Sequence, residues 1–342
     1  MLVVTSDDHL AHHALELDST NLIPSWETPT RVDSIRRAVE PDHRFVGPGE
    51  LDVSLLHAIH DGEYLAFMAG VWDRWVAEEA GPAAMGVAWP ARRFDQGRRP
   101  TALRGLLGYH GFAADCSVVG GTWSAALASA ALAQTAAELV AGGERAMFAL
   151  CRPPGHHATR DQFGGYCYLN NAGVAVEVLR RSGVERVAVL DIDYHHGNGT
   201  QDIFYERDDV LVCSIHADPA FEFPYFCGHA SETGHGAGEG YNRNEPLPAG
   251  TELAEWLAAV DRCVDAIRDA GCGAVVVSTG VDTFEADPIS QFLLRTDDYP
   301  VVGARIADMG LPTVFVFEGG YAVDALGDNV AGVLNGFEAA SA

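Results

Sequence analysis

Apolar residues in this chain form short unbroken runs, separated by longer stretches in which they recur every three to four positions. The runs 146–151 (AMFALC), 186–191 (RVAVLD), 210–215 (VLVCSI), 274–279 (AVVVST) and 313–317 (TVFVF) are bounded by turn residues and read as buried strands. Between them, 122–141, 168–182, 251–270 and 298–309 carry the helical pattern. Strand–helix alternation of this kind predicts an α/β fold with a mostly parallel central sheet and helices on both faces. With no internal repeat and no low-complexity linker, one domain spanning 1–342 is expected.

Residues 81–118 break the pattern. They contain GPAAMG and then PARRFDQGRRP, rich in Gly, Pro and Arg, and read as a long irregular excursion. Segments of that length in a compact domain usually carry function or contacts.

Composition narrows the classes of partner. The net charge is −26, and every basic residue is Arg because the chain has no Lys. Such a field disfavours nucleic acid and anionic membranes and attracts cations, polyamines among them. A salt-adapted or GC-rich host explains the same acidity, so charge alone assigns no substrate. Seven Cys, an odd number with no C-x-x-C pair, point to free thiols in a reducing compartment. The N-terminus lacks the basic and apolar regions of a signal peptide, and no run of about 18 apolar residues is present. A cytoplasmic protein without a membrane span is expected.

The reactive residues lie where the apolar runs end. Run 146–151 leads into Arg152-Pro-Pro-Gly-His156-His157, and run 186–191 into Asp191-Ile-Asp193-Tyr-His195-His196-Gly-Asn198. Run 274–279 leads into Gly280-Val-Asp282, and run 313–317 into Glu318-Gly-Gly-Tyr321. In an open parallel sheet all carboxyl ends share one edge, where ligands bind. Asp193 and His195, two apart just past a strand, point the same way. With Asp282 they form a one-His, two-carboxylate set with room for water, which suits catalytic zinc and also ferrous iron, manganese or cobalt. His156 and His157, held by Pro-Pro-Gly, are candidates for acid–base work near neutral pH. His196 points opposite to His195 and reads as structural. Tyr321, behind two glycines, is placed to donate to a developing oxyanion.

These blocks resemble the histone deacetylase superfamily, which shares its fold with arginases. The resemblance rests on Arg-Pro-Pro-Gly-His156-His157, Phe-Gly-Gly165-Tyr-Cys-Tyr-Leu-Asn-Asn, Asp191-Ile-Asp193-Tyr-His195-His-Gly-Asn-Gly-Thr, Val-Asp282-Thr-Phe and Glu318-Gly-Gly-Tyr321. Ser6-Asp-Asp-His9, the aromatic and Pro-rich 21–31 and the 81–118 excursion look most like bacterial acetylpolyamine amidohydrolases. The resemblance implies a three-layer arginase/deacetylase-like fold and zinc-assisted hydrolysis of an acylated small amine. It assigns Asp193, His195 and Asp282 to zinc, Tyr321 to the scissile carbonyl and His157 to the general base and acid. His156 becomes the electrostatic partner of His157, oriented by Asp191. Gly165 offers its carbonyl to the substrate amide, and Tyr166 and Phe223 wall the tunnel. The resemblance further implies a structural potassium ion at Asp191, Asp193, His195, Ser214 and Ile215, and a peripheral monovalent site that includes Phe204 and Val210. It also implies a homodimer, with the excursion as contact and channel constriction.

Two positions depart from the family pattern. Asn198 stands where many histone-directed members carry Asp behind the second tandem His, and an uncharged partner raises the pKa of His157 less. In the excursion Asp115 keeps an acidic residue, but Arg104 occupies the place of another. Inside the channel, Arg104 would oppose a distal ammonium and favour short diamines over long polyamines. Three rivals remain. An arginase-like ureohydrolase needs a second ligand cluster, and none is visible. A silent acyl-amine-binding module predicts a lost ligand or Tyr. A protein or peptide acetyl-lysine deacetylase needs an open channel.

Overall fold

The protein was analysed as a computed structural model that describes residues 1–18, 20–90 and 97–341. The chain opens with β1 (Leu2–Val4), the antiparallel hairpin β2 (Leu15–Asp18) and β3 (Asn21–Pro24), α1 (Thr30–Val39) and β4 (Arg44–Val46). The helices α2 (Val53–Ile59), α3 (Gly62–Glu78), α4 (Leu103–His110) and α5 (Thr122–Ala141) follow. Strands and helices then alternate, except that no α-helix separates β7 from β8: β5 (Ala146–Ala149), α6 (Asn171–Arg181), β6 (Val187–Asp191), α7 (Asn198–Phe204), β7 (Val210–Ala217), β8 (Asn242–Leu247), α8 (Leu253–Asp269), β9 (Ala274–Thr279), α9 (Tyr299–Ala307), β10 (Thr313–Phe317) and α10 (Val323–Ser341).

Eight strands form one sheet in the order β4-β1-β5-β10-β9-β6-β7-β8, and every pairing in it is parallel. The expected mostly parallel sheet is therefore wholly parallel among the described residues. Helices cover both faces, so alternate residues of one strand enter two separate cores. Val187 and Val189 face one, Ala188 and Leu190 the other. Burial on both faces is why these strands read as unbroken apolar runs. The strands that lead into the reactive motifs are β5, β10, β9 and β6, and they are the four central neighbours of the sheet. Their carboxyl ends thus meet at one place.

Two expectations change and a third stands. The pattern missed β8 because Asn-Arg-Asn-Glu-Pro-Leu is an edge strand with partly exposed polar side chains. It also missed α4, which sits inside the 81–118 excursion, and that excursion is further closed by a bridge between Ala84 and Val118; its residues 91–96 lie outside the described residues. Finally, α5 is long and apolar enough on average to cross a membrane, although it contains Ser, Thr and Gln. It packs against α6 and β5, and 67% of its apolar window is buried in the fold. All seven Cys are free thiols.

Candidate active site

The end of β6 builds the centre. Asp193 and His195 follow that strand, and Asp282 follows β9, its immediate neighbour. One ligand atom from each of the three lies within 4.8 Å of the others, and all three residues are buried. Nδ1 of His195 is the atom that faces both carboxylates, 3.1 Å from Asp282 and 3.4 Å from Asp193. Glycines make the space: a Cβ on Gly280 would sit 2.0 Å from Asp193 Oδ2, and one on Gly319 would sit 2.3 Å from Asp282 Oδ2. Burial and the Asp193 charge push Asp282 up to about 7. Two like charges buried together call for a cation between them, so the donor set fits a divalent metal. A second trio, His156, Cys167 and Glu318, is equally close. There Glu318 Oε2 accepts from the amides of Gly155 (2.6 Å) and His156 (3.1 Å), and His156 Nδ1 is taken by Asp191.

Beside the trio stand the tandem histidines, whose ring centroids are 3.9 Å apart. Nδ1 of His156 donates to Asp191 at 3.0 Å. Burial works against a charged ring there, but the Asp193 and Asp191 carboxylates outweigh it and push His156 up to about 10. Burial, then the imidazoles of His156 and His195, hold His157 well below its ordinary range. His157 Nδ1 meets the amide oxygen of Asn198 at 2.7 Å. An amide oxygen only accepts, so Nδ1 carries the proton and Nε2 is left basic. The surroundings act oppositely on the two rings: carboxylates favour the charged form of His156, while burial and neighbouring imidazoles favour the neutral form of His157.

Tyr321 completes the site. Its backbone N–H donates to Asp287 at 2.7 Å, and the Arg31 guanidinium lies 4.8 Å from its ring centroid. Arg31 also donates to the carbonyls of Glu318 (2.5 Å) and Gly320 (2.7 Å), and pairs with the buried Glu27 at 2.9 Å. Burial raises the phenol of Tyr321 well above its usual value, so it remains an O–H donor.

These groups open onto a cavity of 170 Å³ lined by Asp115, His157, Gly165, Tyr166, His195, Glu222, Phe223, Ile289 and Tyr321. Gly165 has φ +56°, and a Cβ there would meet His157 Cδ2 at 2.3 Å, so no other residue fits. Tyr166 also adopts a left-handed backbone (φ +63°), which brings its ring 5.6 Å from Tyr321. Its hydroxyl donates to Glu16 at 2.7 Å. Phe223 packs edge-on against His157 at 5.0 Å. Asp115 accepts from the Gly165 N–H at 3.1 Å. Across β6 and β7, Asp191 pairs in register with Ser214, next to Ile215.

Arg104 is a correction. It lies on α4 with its side chain 63% exposed, held by Glu79 at 2.6 Å, and does not line the cavity. Glu79 precedes the excursion and captures the guanidinium before it can turn inward. Arg104→Glu is therefore expected to leave the ratio of kcat/KM for acetylated diamine and acetylspermidine unaltered at low salt. A changed ratio would put Arg104 back in the channel. Sequence reading also missed Glu16, Glu222, Asp287 and Ile289. Only Glu222 had a local signal, its place next to Phe223.

Among known proteins, the description "Histone deacetylase domain" fits residues 25–337. Acetylpolyamine amidohydrolase 1 of Pseudomonas aeruginosa is 48% identical over 100% of both chains. Acetylpolyamine amidohydrolase of Mycoplana ramosa is 46% identical over 98% of this chain and 99% of its own. The crystal structure of acetylpolyamine aminohydrolase from Burkholderia pseudomallei superposes with a TM-score of 0.94 at 38% identity, covering 99% of each chain.

Proposed function

The chain belongs to the histone deacetylase family, and from that premise we propose that it hydrolyses the acetyl or other short acyl amide of small primary amines, acetylated diamines and polyamines above all. The observation that carries this reading is a buried Asp193–His195–Asp282 trio whose His195 lines one small cavity together with His157 and Tyr321. Asp193, His195 and Asp282 hold the metal, with zinc as first choice and iron, cobalt or manganese as its competitors. When bound, the metal supplies a Lewis acid for the carbonyl and for water.

The chain's own groups account for the rest. His157 Nε2 takes a proton as water oxygen bonds to the acyl carbon. The Tyr321 O–H donates to the oxyanion, and the Gly165 carbonyl accepts from the substrate amide N–H. The imidazolium of His156, held by Asp191, steadies the negative charge. His157 then returns its proton to nitrogen as the C–N bond breaks, releasing a carboxylic acid and an amine. Tyr166 and Phe223 flank the aliphatic stem. A structural potassium ion belongs at Asp191, Asp193, His195, Ser214 and Ile215, supported by the register that sets Asp191 beside Ser214. Exposed Val87 and Trp89 in the 81–118 segment support a homodimer contact there, and free thiols suit the cytoplasm.

A turnover panel tests the reading. Acetylputrescine, acetylcadaverine and acetylspermidine are expected to be hydrolysed, the last included because Arg104 stands outside the cavity. Acetyl-lysine peptides are expected to trail them by at least tenfold in kcat/KM. Peptides outrunning all three amines would make the enzyme a protein deacetylase.

A further inference from the structure

We propose that Glu222 is the specificity residue that receives the second ammonium of the substrate, so that the preferred ligand is a monoacetylated α,ω-diamine. The inference rests on the amidohydrolase reading above and names the group that reads the far end of the amine.

Glu222 lines the same cavity as His195, His157 and Tyr321, and immediately precedes Phe223, which walls it. A methylene stem lying along the Phe223 ring therefore leads to this carboxylate. Neutral donors hold both carboxylate oxygens. The Tyr194 hydroxyl donates to Oε2 at 2.8 Å, and the Phe223 N–H donates to Oε1 at 3.0 Å. Tyr194 is buried and its backbone N–H donates to Asp282 Oδ1 at 2.9 Å. One tyrosine thus links the two carboxylates: its hydroxyl reaches Glu222 and its backbone N–H reaches Asp282.

What the carboxylate lacks is a cation. Arginines elsewhere on the chain find carboxylate partners, yet none of these ion pairs among the described residues involves Glu222, Asp115 or Glu16. A partly desolvated carboxylate with only neutral donors is left to pair with a charged ligand. The other two acids are committed differently. Glu16 is behind Tyr166, bound to its hydroxyl, and Asp115 is bound to the Gly165 amide at the inner wall. Glu222 is the one of the three set beside the stem on the Phe223 side.

The test compares acetylputrescine with N-butylacetamide, which has the same length and no second charge, in the intact metal-loaded enzyme. Glu222→Gln keeps the shape and an acceptor for Tyr194. It is expected to lower the charged-over-neutral ratio of kcat/KM by about tenfold or more, chiefly through KM. Tyr194→Phe, which frees the carboxylate, is expected to lower the ratio less, and Glu222→Asp to restore part of it. Should Glu222→Gln fail to fold, Glu222→Asp decides, because drawing the carboxylate back by one methylene must lower the same ratio; putrescine must in either case bind the wild type at least about tenfold more tightly than n-butylamine. A preserved ratio in Glu222→Gln, equal losses on both substrates, or equal inhibition by the two amines overturns the assignment. These results leave the amidohydrolase reading standing. A wild type that cleaves acetyl-lysine peptides but neither small amide overturns both.

Discussion

Asp282→Ala, and equally Asp193→Ala or His195→Ala, is expected to reduce turnover to background and bound metal to a small fraction of one equivalent per chain. The three ligand atoms lie within 4.8 Å of one another, and two remaining ligands do not make a catalytic site that needs three and an open position. Each residue also does structural work that the alanine variants remove. Asp193 accepts from the Gly319 N–H at 2.8 Å and Asp282 from the Tyr194 N–H at 2.9 Å. Thermal melts must therefore accompany metal analysis, and Asp282→Asn, which keeps an acceptor for Tyr194, separates the two losses. Full metal occupancy in any two of the alanine variants would sink the assignment.

Tyr321→Phe is expected to keep its metal and its KM while losing about 100- to 1000-fold in kcat, the usual cost of one oxyanion donor. The ring is placed by contacts that do not involve its hydroxyl. Asp287 takes the backbone N–H, Arg31 lies over one face and Tyr166 meets it edge-on. The phenylalanine ring should settle in the same place, so the loss reports the O–H alone. A variant retaining half of wild-type turnover would make Tyr321 a packing residue. Because burial raises the phenol well above its usual range, Tyr321 contributes no titration near neutral pH.

How much of this could be read from the chain differs by region. The runs that became β5, β6, β9 and β10 are buried on both faces, so their composition alone marks them. The strands β1 and β4, three residues each and partly exposed, and the polar edge strand β8 carry no such mark, because none of them is buried on both faces throughout. The candidate catalytic residues were legible because they sit within a few positions of those strand ends. In a parallel sheet, being at a carboxyl end is already a statement about location.

The pocket walls were harder. Glu16 comes from the N-terminal hairpin and reaches Tyr166 across 150 positions of sequence, and Asp287 reaches Tyr321 across 34. No periodicity links such partners. Arg104 shows the converse: its place in the excursion suggested the channel, yet Glu79 draws it to the surface. The sequence by itself determined the fold class, the order of the central elements and which candidate groups stand at the strand ends, because strand burial and strand-end position are local properties. Only the tertiary structure decided that β5, β10, β9 and β6 are neighbours, that carboxylates surround His156 while burial and neighbouring imidazoles act on His157, and which carboxylates face the cavity. Those outcomes depend on which distant charges and donors are brought within a few ångströms, and electrostatics at that range follows contact in space rather than spacing along the chain.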